Sequence, residues 1–103
     1  MSPVVSELEQ NPGDLRDVLD KLQEECAELT LSAAKAKSFG LIDKWQGVTN
    51  RQQLETEVGD VLCVIGILVD NNIIASDAVL AAMIAKTNKL KQWAPTVAKY
   101  VRG

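Results

Sequence analysis

The stretch Glu57-Val58-Gly59-Asp60-Val61-Leu62-Cys63-Val64-Ile65-Gly66-Ile67-Leu68-Val69-Asp70 decides the fold. Before Asp60 the pattern is amphipathic, with Leu54 and Val58 four apart; from Val61 to Val69 it is apolar on every side. Continuity with the upstream 3.6-residue period argues for helix over strand, and a helix apolar all round is buried all round. Three or four helices from one 103-residue chain are too few to surround it, so part of this face is expected to meet a second subunit. The nine-residue run is about half of what a membrane-spanning helix requires.

Working outward, Thr49 and Asn50 each have a glutamine three residues on, Gln52 and Gln53, which is capping-box spacing for a helix from Arg51 to about Asp70. Upstream, Leu15, Val18, Leu19, Leu22, Cys26, Leu29 and Ala33 recur at threes and fours and predict a helix to about Lys37, with Asp14 as its N-cap. Ser38-Phe39-Gly40 closes it, and a linker continues to Asn50. Val4 to Gln10 reads as a short helix ended by Asn11-Pro12-Gly13. Downstream, Asn71-Asn72 breaks the chain, Ser76 caps a helix from Asp77 to about Trp93, and Pro95 ends or kinks it. The expected fold is all-α: an antiparallel helical bundle forming a single domain over residues 1–103, completed by oligomerisation.

Composition narrows the chemistry. With 47% hydrophobic and 24% charged residues, the chain has the profile of one soluble domain. The start lacks a basic segment and a continuous apolar stretch, so it does not read as a secretory signal, and a cytoplasmic location is expected. The absence of histidine removes Ser-His-Asp triads, HExxH zinc sites and Glu-x-x-His di-iron pairs. Cys26 and Cys63 lie within apolar helical patterns and are expected to be buried reduced thiols. The net charge of -3 hides a segregation: residues 1–60 carry -6 and residues 61–103 carry +3. Few bases, a negative total and no aromatic-basic interleaving argue against nucleic acid.

The acids are placed unusually. Positions three and four apart share a helix face, so Glu24, Glu25 and Glu28 form one cluster and Glu57 with Asp60 another. Glu25 falls in the apolar row Val18, Leu22, Leu29, and Asp60 heads the row of Val64 and Ile67. Unpaired carboxylates beside a core cost several kcal/mol each, so a cation is required. Lys21 can reach Glu25 at i,i+4, but one lysine cannot neutralise five carboxylates. Oxygen-only ligation selects a hard ion, Mg2+ or Mn2+, and Mg2+ takes further ligands from substrate phosphates. If the two helices pack antiparallel, both clusters can converge on one cage.

The arrangement Glu24-Glu25-x-x-Glu28 followed by Glu57-x-x-Asp60 resembles the EExxE…ExxD signature of the MazG-like, all-α nucleoside triphosphate pyrophosphatases. Lys21-Leu22-Gln23-Glu24-Glu25-Cys26-Ala27-Glu28-Leu29 and Glu57-Val58-Gly59-Asp60-Val61-Leu62 are similar to the family's contexts, and Lys86-Thr87-Asn88-Lys89 resembles its basic C-terminal element. The resemblance covers Leu15 to about Trp93. It implies Mg2+-dependent hydrolysis of (deoxy)nucleoside triphosphates to monophosphate and pyrophosphate, by attack of a metal-bound water on the α-phosphorus. By the same resemblance, Glu25, Glu28, Glu57 and Asp60 would be metal ligands, and Glu24 the general base or a ligand to a second ion.

Lys86, Asn88 and Lys89 are then candidates for phosphate contact, and Phe39 and Trp45 for stacking on the base, with Lys35 or Lys37 in reach of phosphate. The expected assembly is a homodimer or homotetramer, with a nucleoside triphosphate as substrate and no nucleic-acid or membrane partner. The short segment before Asp14 and the absence of an arginine-rich C-terminal run depart from many relatives and leave base choice open among dCTP, dUTP and purine deoxynucleotides such as dGTP. The alternatives are a phosphoribosyl-ATP pyrophosphatase and a catalytically silent helical dimerisation module.

Overall fold

The computed structural model describes residues 5–102. Four helices and one two-stranded hairpin follow in the order α1 (Pro12–Phe39), β1 (Lys44–Trp45), β2 (Val48–Thr49), α2 (Asn50–Asp70), α3 (Ser76–Trp93) and α4 (Pro95–Ala98). The protein is thus essentially all-α. No described helix is long and apolar enough to cross a membrane. The chain divides into two compact units, Met1–Ile73 and Ile74–Gly103.

In the first unit, α1 starts two residues earlier than its predicted cap. Pro12 sits in the first turn, where its missing N–H costs nothing, and Asp14 lies inside that turn, where a negative charge favours the helix dipole. The segment before it forms turns through Glu7–Gln10 rather than the predicted helix, closed by Gln10 N–H to Ser6 O at 3.1 Å; Val4 lies outside the described residues. At the far end Gly40 takes φ +87° and donates to Ala36 O at 2.9 Å.

The predicted linker contains the tiny hairpin. Trp45 pairs with Val48, and the two residues between them, Gln46 and Gly47, both have positive φ (51° and 80°), as a type I′ turn requires. The hairpin is lashed to the start of α2: Asn50 N–H donates to Asp43 O at 2.9 Å, Arg51 N–H to Leu41 O at 3.0 Å, and the Asn50 side chain to Gly40 O at 2.8 Å. Thr49 and Gln52 close the capping box, with Gln52 N–H donating to Thr49 Oγ1 and Thr49 N–H to Gln52 Oε1.

α1 and α2 make the principal helix contact of this unit. Val61, Val64 and Leu68 form the buried row of α2 at helical spacing. The opposite side of the same apolar run stays open: Leu62 is 59% exposed, and Val58 and Ile67 are exposed as well. Cys26 and Cys63, expected to be buried, are exposed, because each lies on a helix face that no element of its own unit covers. Val61 to Val69 is therefore apolar all round yet covered on one side within its own unit.

The second unit holds α3 and α4. Ala75 rather than Ser76 occupies the N-cap of α3, and no side chain caps that end. Ala94, with φ -145° and ψ 63°, breaks the helix, and Pro95 starts the four-residue α4, so the proline separates two helices as its fixed φ predicts. Leu80, Met83, Ile84 and Trp93 are exposed on α3.

Thr49→Ala removes one hydrogen bond of the capping box and should lower stability by about 1 kcal/mol, read from the urea midpoint with an unchanged slope.

Candidate metal centre

The site grows from the antiparallel run of α1 against α2. Advancing along α1 from Glu25 through Ser32 to Lys35 corresponds to retreating along α2 from Asp60 through Glu57 and Gln53 to Asn50, as the acidic trio and the adjacent cleft record. Glu25, Glu57 and Asp60 each present a carboxylate oxygen, and the three oxygens lie within 4.8 Å of one another. Glu57 is buried, Glu25 half-buried and Asp60 exposed, so the trio opens from the helix interface towards solvent.

The electrostatics are those of unneutralised like charges. Partial desolvation holds the Glu25 carboxyl above its ordinary range; Asp60, Glu24 and Glu57 push it the same way, and Lys21 opposes them. Lys21 does not pair with Glu25. Its ammonium donates to Glu24 at 3.0 Å, an exposed i,i+3 pair on the outer flank, because Glu25 faces α2. The Gln53 side chain donates to Glu57, fixing one carboxylate oxygen of the buried member.

Three hard oxygens at this spacing suit a divalent cation. Bonds of about 2.0–2.1 Å to Mg2+ put neighbouring ligand oxygens roughly 3 Å apart and opposite ones about 4 Å apart. The three oxygens, within 4.8 Å of one another, stand near that range. The donors are carboxylates alone, which excludes the preferences of zinc and copper.

The remaining candidates distribute as follows. Glu28 is exposed, lies outside the trio, and lines a cleft together with Glu57. Glu24 is exposed beside Lys21. Phe39 and Trp45 are both exposed and line a second cleft with Lys35, Asp43, Lys44 and Asn50, while Lys35 Nζ stands 5.8 Å from the Trp45 ring centre, a cation–π distance. Lys86, Asn88 and Lys89 occupy exposed positions of α3 in the second unit.

One residue was missed by sequence reasoning. Ser32 is 4% exposed, and its hydroxyl is buried without a hydrogen-bond partner among the described residues. It lines the cleft of about 180 Å³ that runs from Glu28 and Glu57 to Trp45, with Lys35, Asn50 and Gln53 on its walls. Nothing in a serine amid Leu-Ser-Ala-Ala marks it as exceptional. An unmet buried hydroxyl costs about 1–3 kcal/mol. Comparison of the chain with protein-family models, curated proteins and solved structures returns no match.

The raised Glu25 carboxyl carries a sign for stability. Its neutral form is favoured in the fold, so its contribution is present below the ordinary carboxylate pKa and is lost as pH rises through its own higher value. In metal-free buffer the melting temperature should fall over that interval. Glu25→Gln should flatten the fall, and Mg2+ should reverse it in the parent protein but not in the variant.

Proposed function

We propose that this protein is a Mg2+-dependent nucleoside triphosphate pyrophosphatase, cleaving the bond between the α- and β-phosphates to release a monophosphate and pyrophosphate. The observation that carries the reading is the convergence of Glu25, Glu57 and Asp60 from two helices within 4.8 Å, with no lysine or arginine among them. Such a cluster repels a triphosphate unless a cation intervenes. The likeness of Glu24-Glu25-x-x-Glu28 and Glu57-x-x-Asp60 to the MazG-like signature supports the same chemistry.

In this reading Glu25, Glu57 and Asp60 hold Mg2+, with Mn2+ as a substitute, and Glu28 joins them from the cleft side. When bound, the ion supplies the positive charge that lets a polyanion approach and polarises the phosphoryl oxygens. Glu24 is the general base that the resemblance implies; it pairs with Lys21 at 3.0 Å on the outer flank and would have to leave that pair to accept a proton from a water at the trio. Gln53 keeps Glu57 turned into the cluster. Lys86, Asn88 and Lys89 of α3 stay in this reading as the phosphate-contacting candidates that the resemblance implies.

The working form in this proposal is a homodimer or homotetramer in the cytoplasm. Leu62, Val58, Ile67 and Cys63 leave an apolar face open on α2, a costly exposure for a lone chain. Gly59 and Gly66 lie in the same helix with open space where a Cβ would stand. Each glycine costs roughly 0.5–1 kcal/mol relative to alanine in a helix, a cost that close approach of a second helix would offset. Sedimentation should give two or four chains per particle, and Leu62→Arg should shift the protein to monomer.

The decisive assay is pyrophosphate release from a panel of nucleoside triphosphates with Mg2+ or Mn2+. Stoichiometric monophosphate should accompany pyrophosphate, and Glu25→Ala or Glu57→Gln should lower kcat by at least about 100-fold, the scale of losing charge stabilisation at a transferring phosphoryl group. Absence of turnover by folded, Mg2+-saturated protein would overturn the assignment.

A further inference from the structure

We propose that this protein pairs with a second copy of itself through one apolar face that α1 and α2 share, the two α1 helices running antiparallel about a two-fold axis beside Cys26. The proposal deepens the assembly part of the reading above and uses none of its chemistry. α1 carries two apolar rows. Val18, Leu22, Leu29 and Ser32 are drawn in against α2, whereas Leu19, Cys26 and Ala33 are exposed. At about 100° per residue, the exposed row stands roughly a quarter turn clockwise from Glu25 and Ser32, viewed from the N-terminus of α1. On α2, Val58, Leu62, Ile65 and Val69 stand between a quarter and a third of a turn clockwise from the buried row of Val61, Val64 and Leu68, viewed from its own N-terminus. Because α2 runs the other way, both rows emerge on the same side of the helix pair. Neither row contains a charged residue, and Ile67 and Cys63 fall outside this face.

The occupant follows from the pattern of α1. Two open grooves of similar volume, about 510 and 550 Å³, lie along its exposed row. The six residues that line the second, from Cys26 to Lys37, each lie fourteen positions beyond one that lines the first, which is two heptads and about four turns. The first groove is walled by Leu15, Leu19 and Leu22, the second by the smaller Cys26, Ala33 and Ala34. A two-fold rotation lays the leucines of each copy into the alanine-lined groove of the other, large against small in both directions. Charge selects the same orientation. Residues 12–25 carry five acids against two bases, and residues 26–39 one acid against two bases. An antiparallel copy sets unlike halves together; a parallel one sets acid-rich half against acid-rich half.

The level of the axis is fixed by the helix lengths. The midpoint of α1 lies between Glu25 and Cys26 and that of α2 at Asp60, and the carboxylates of Glu25 and Asp60 meet. An axis at that level overlaps the whole of both helices in the two copies. It brings the two Cys26 side chains together on the covered face and leaves the two Cys63 side chains apart.

The test reads sedimentation and short-bismaleimide crosslinking of the intact protein. Cys63→Ser should still crosslink into dimers through Cys26, and Cys26→Ser should not crosslink. Leu19 is 42% exposed in the single chain, so Leu19→Asp should keep its helix content by circular dichroism. It should nevertheless raise the dimer dissociation constant at least about tenfold, because the pair would bury an unmatched carboxylate. Crosslinking through Cys63 alone, or a dimer unmoved by Leu19→Asp, would overturn the α1 face. The two assembly readings fail separately. A dimer lost in Leu62→Arg but indifferent to Leu19→Asp sinks the α1 face and keeps the association, whereas a monomer at every concentration sinks both.

Discussion

The antiparallel contact of α1 with α2 is the constraint on which the rest of the structure depends. It buries Val61, Val64 and Leu68, and it also carries Glu25 against Glu57 and Asp60. Hydrophobic burial and carboxylate repulsion thus share one interface. Apolar association there must outweigh the repulsion in the absence of a cation, and any divalent ion captured by the trio adds to the same contact. An acidic seam of this kind couples site geometry to helix pairing: whatever loosens one loosens the other.

The hairpin performs a second task with few residues. A type I′ turn at Gln46-Gly47 reverses the chain in two residues, and the bonds from Asn50 and Arg51 back to Asp43, Leu41 and Gly40 tie it to the start of α2. Trp45 is thereby held beside Lys35 rather than left at the tip of a loose linker. The cleft lined by Ser32, Gln53 and Trp45 owes its far wall to this arrangement. Its near wall is Glu57, so the acidic trio and the cleft share a side chain whose orientation Gln53 sets.

Much of this was legible residue by residue. The threes and fours from Leu15 to Ala33 and the Thr49-to-Gln52 spacing locate α1 and α2 because helix periodicity and capping are local properties of the chain. The hairpin was not, since two-residue strands are too short to show a period of two; the Gln46-Gly47 pair between Trp45 and Val48 was the signal that could have found it. Lys21 was matched to Glu25 by spacing alone, but on a helix both Glu24 and Glu25 are within its reach, and the choice falls to whichever carboxylate is not drawn towards α2. The two cysteines sit in apolar patterns and are exposed all the same, because an apolar pattern says which face seeks cover and not whether one chain supplies it.

By itself the sequence determined the three long helices and their breaks, the exclusion of histidine chemistry and the acidic clusters of α1 and α2. These follow from side-chain type and a fixed rise and turn per residue. Only the tertiary structure decided that Glu25, Glu57 and Asp60 converge while Glu28 turns to the cleft, and that Ser32 is buried with its hydroxyl unmet. Those facts depend on the register between α1 and α2, which is set by packing and by the hairpin that joins them, over separations that no local pattern spans.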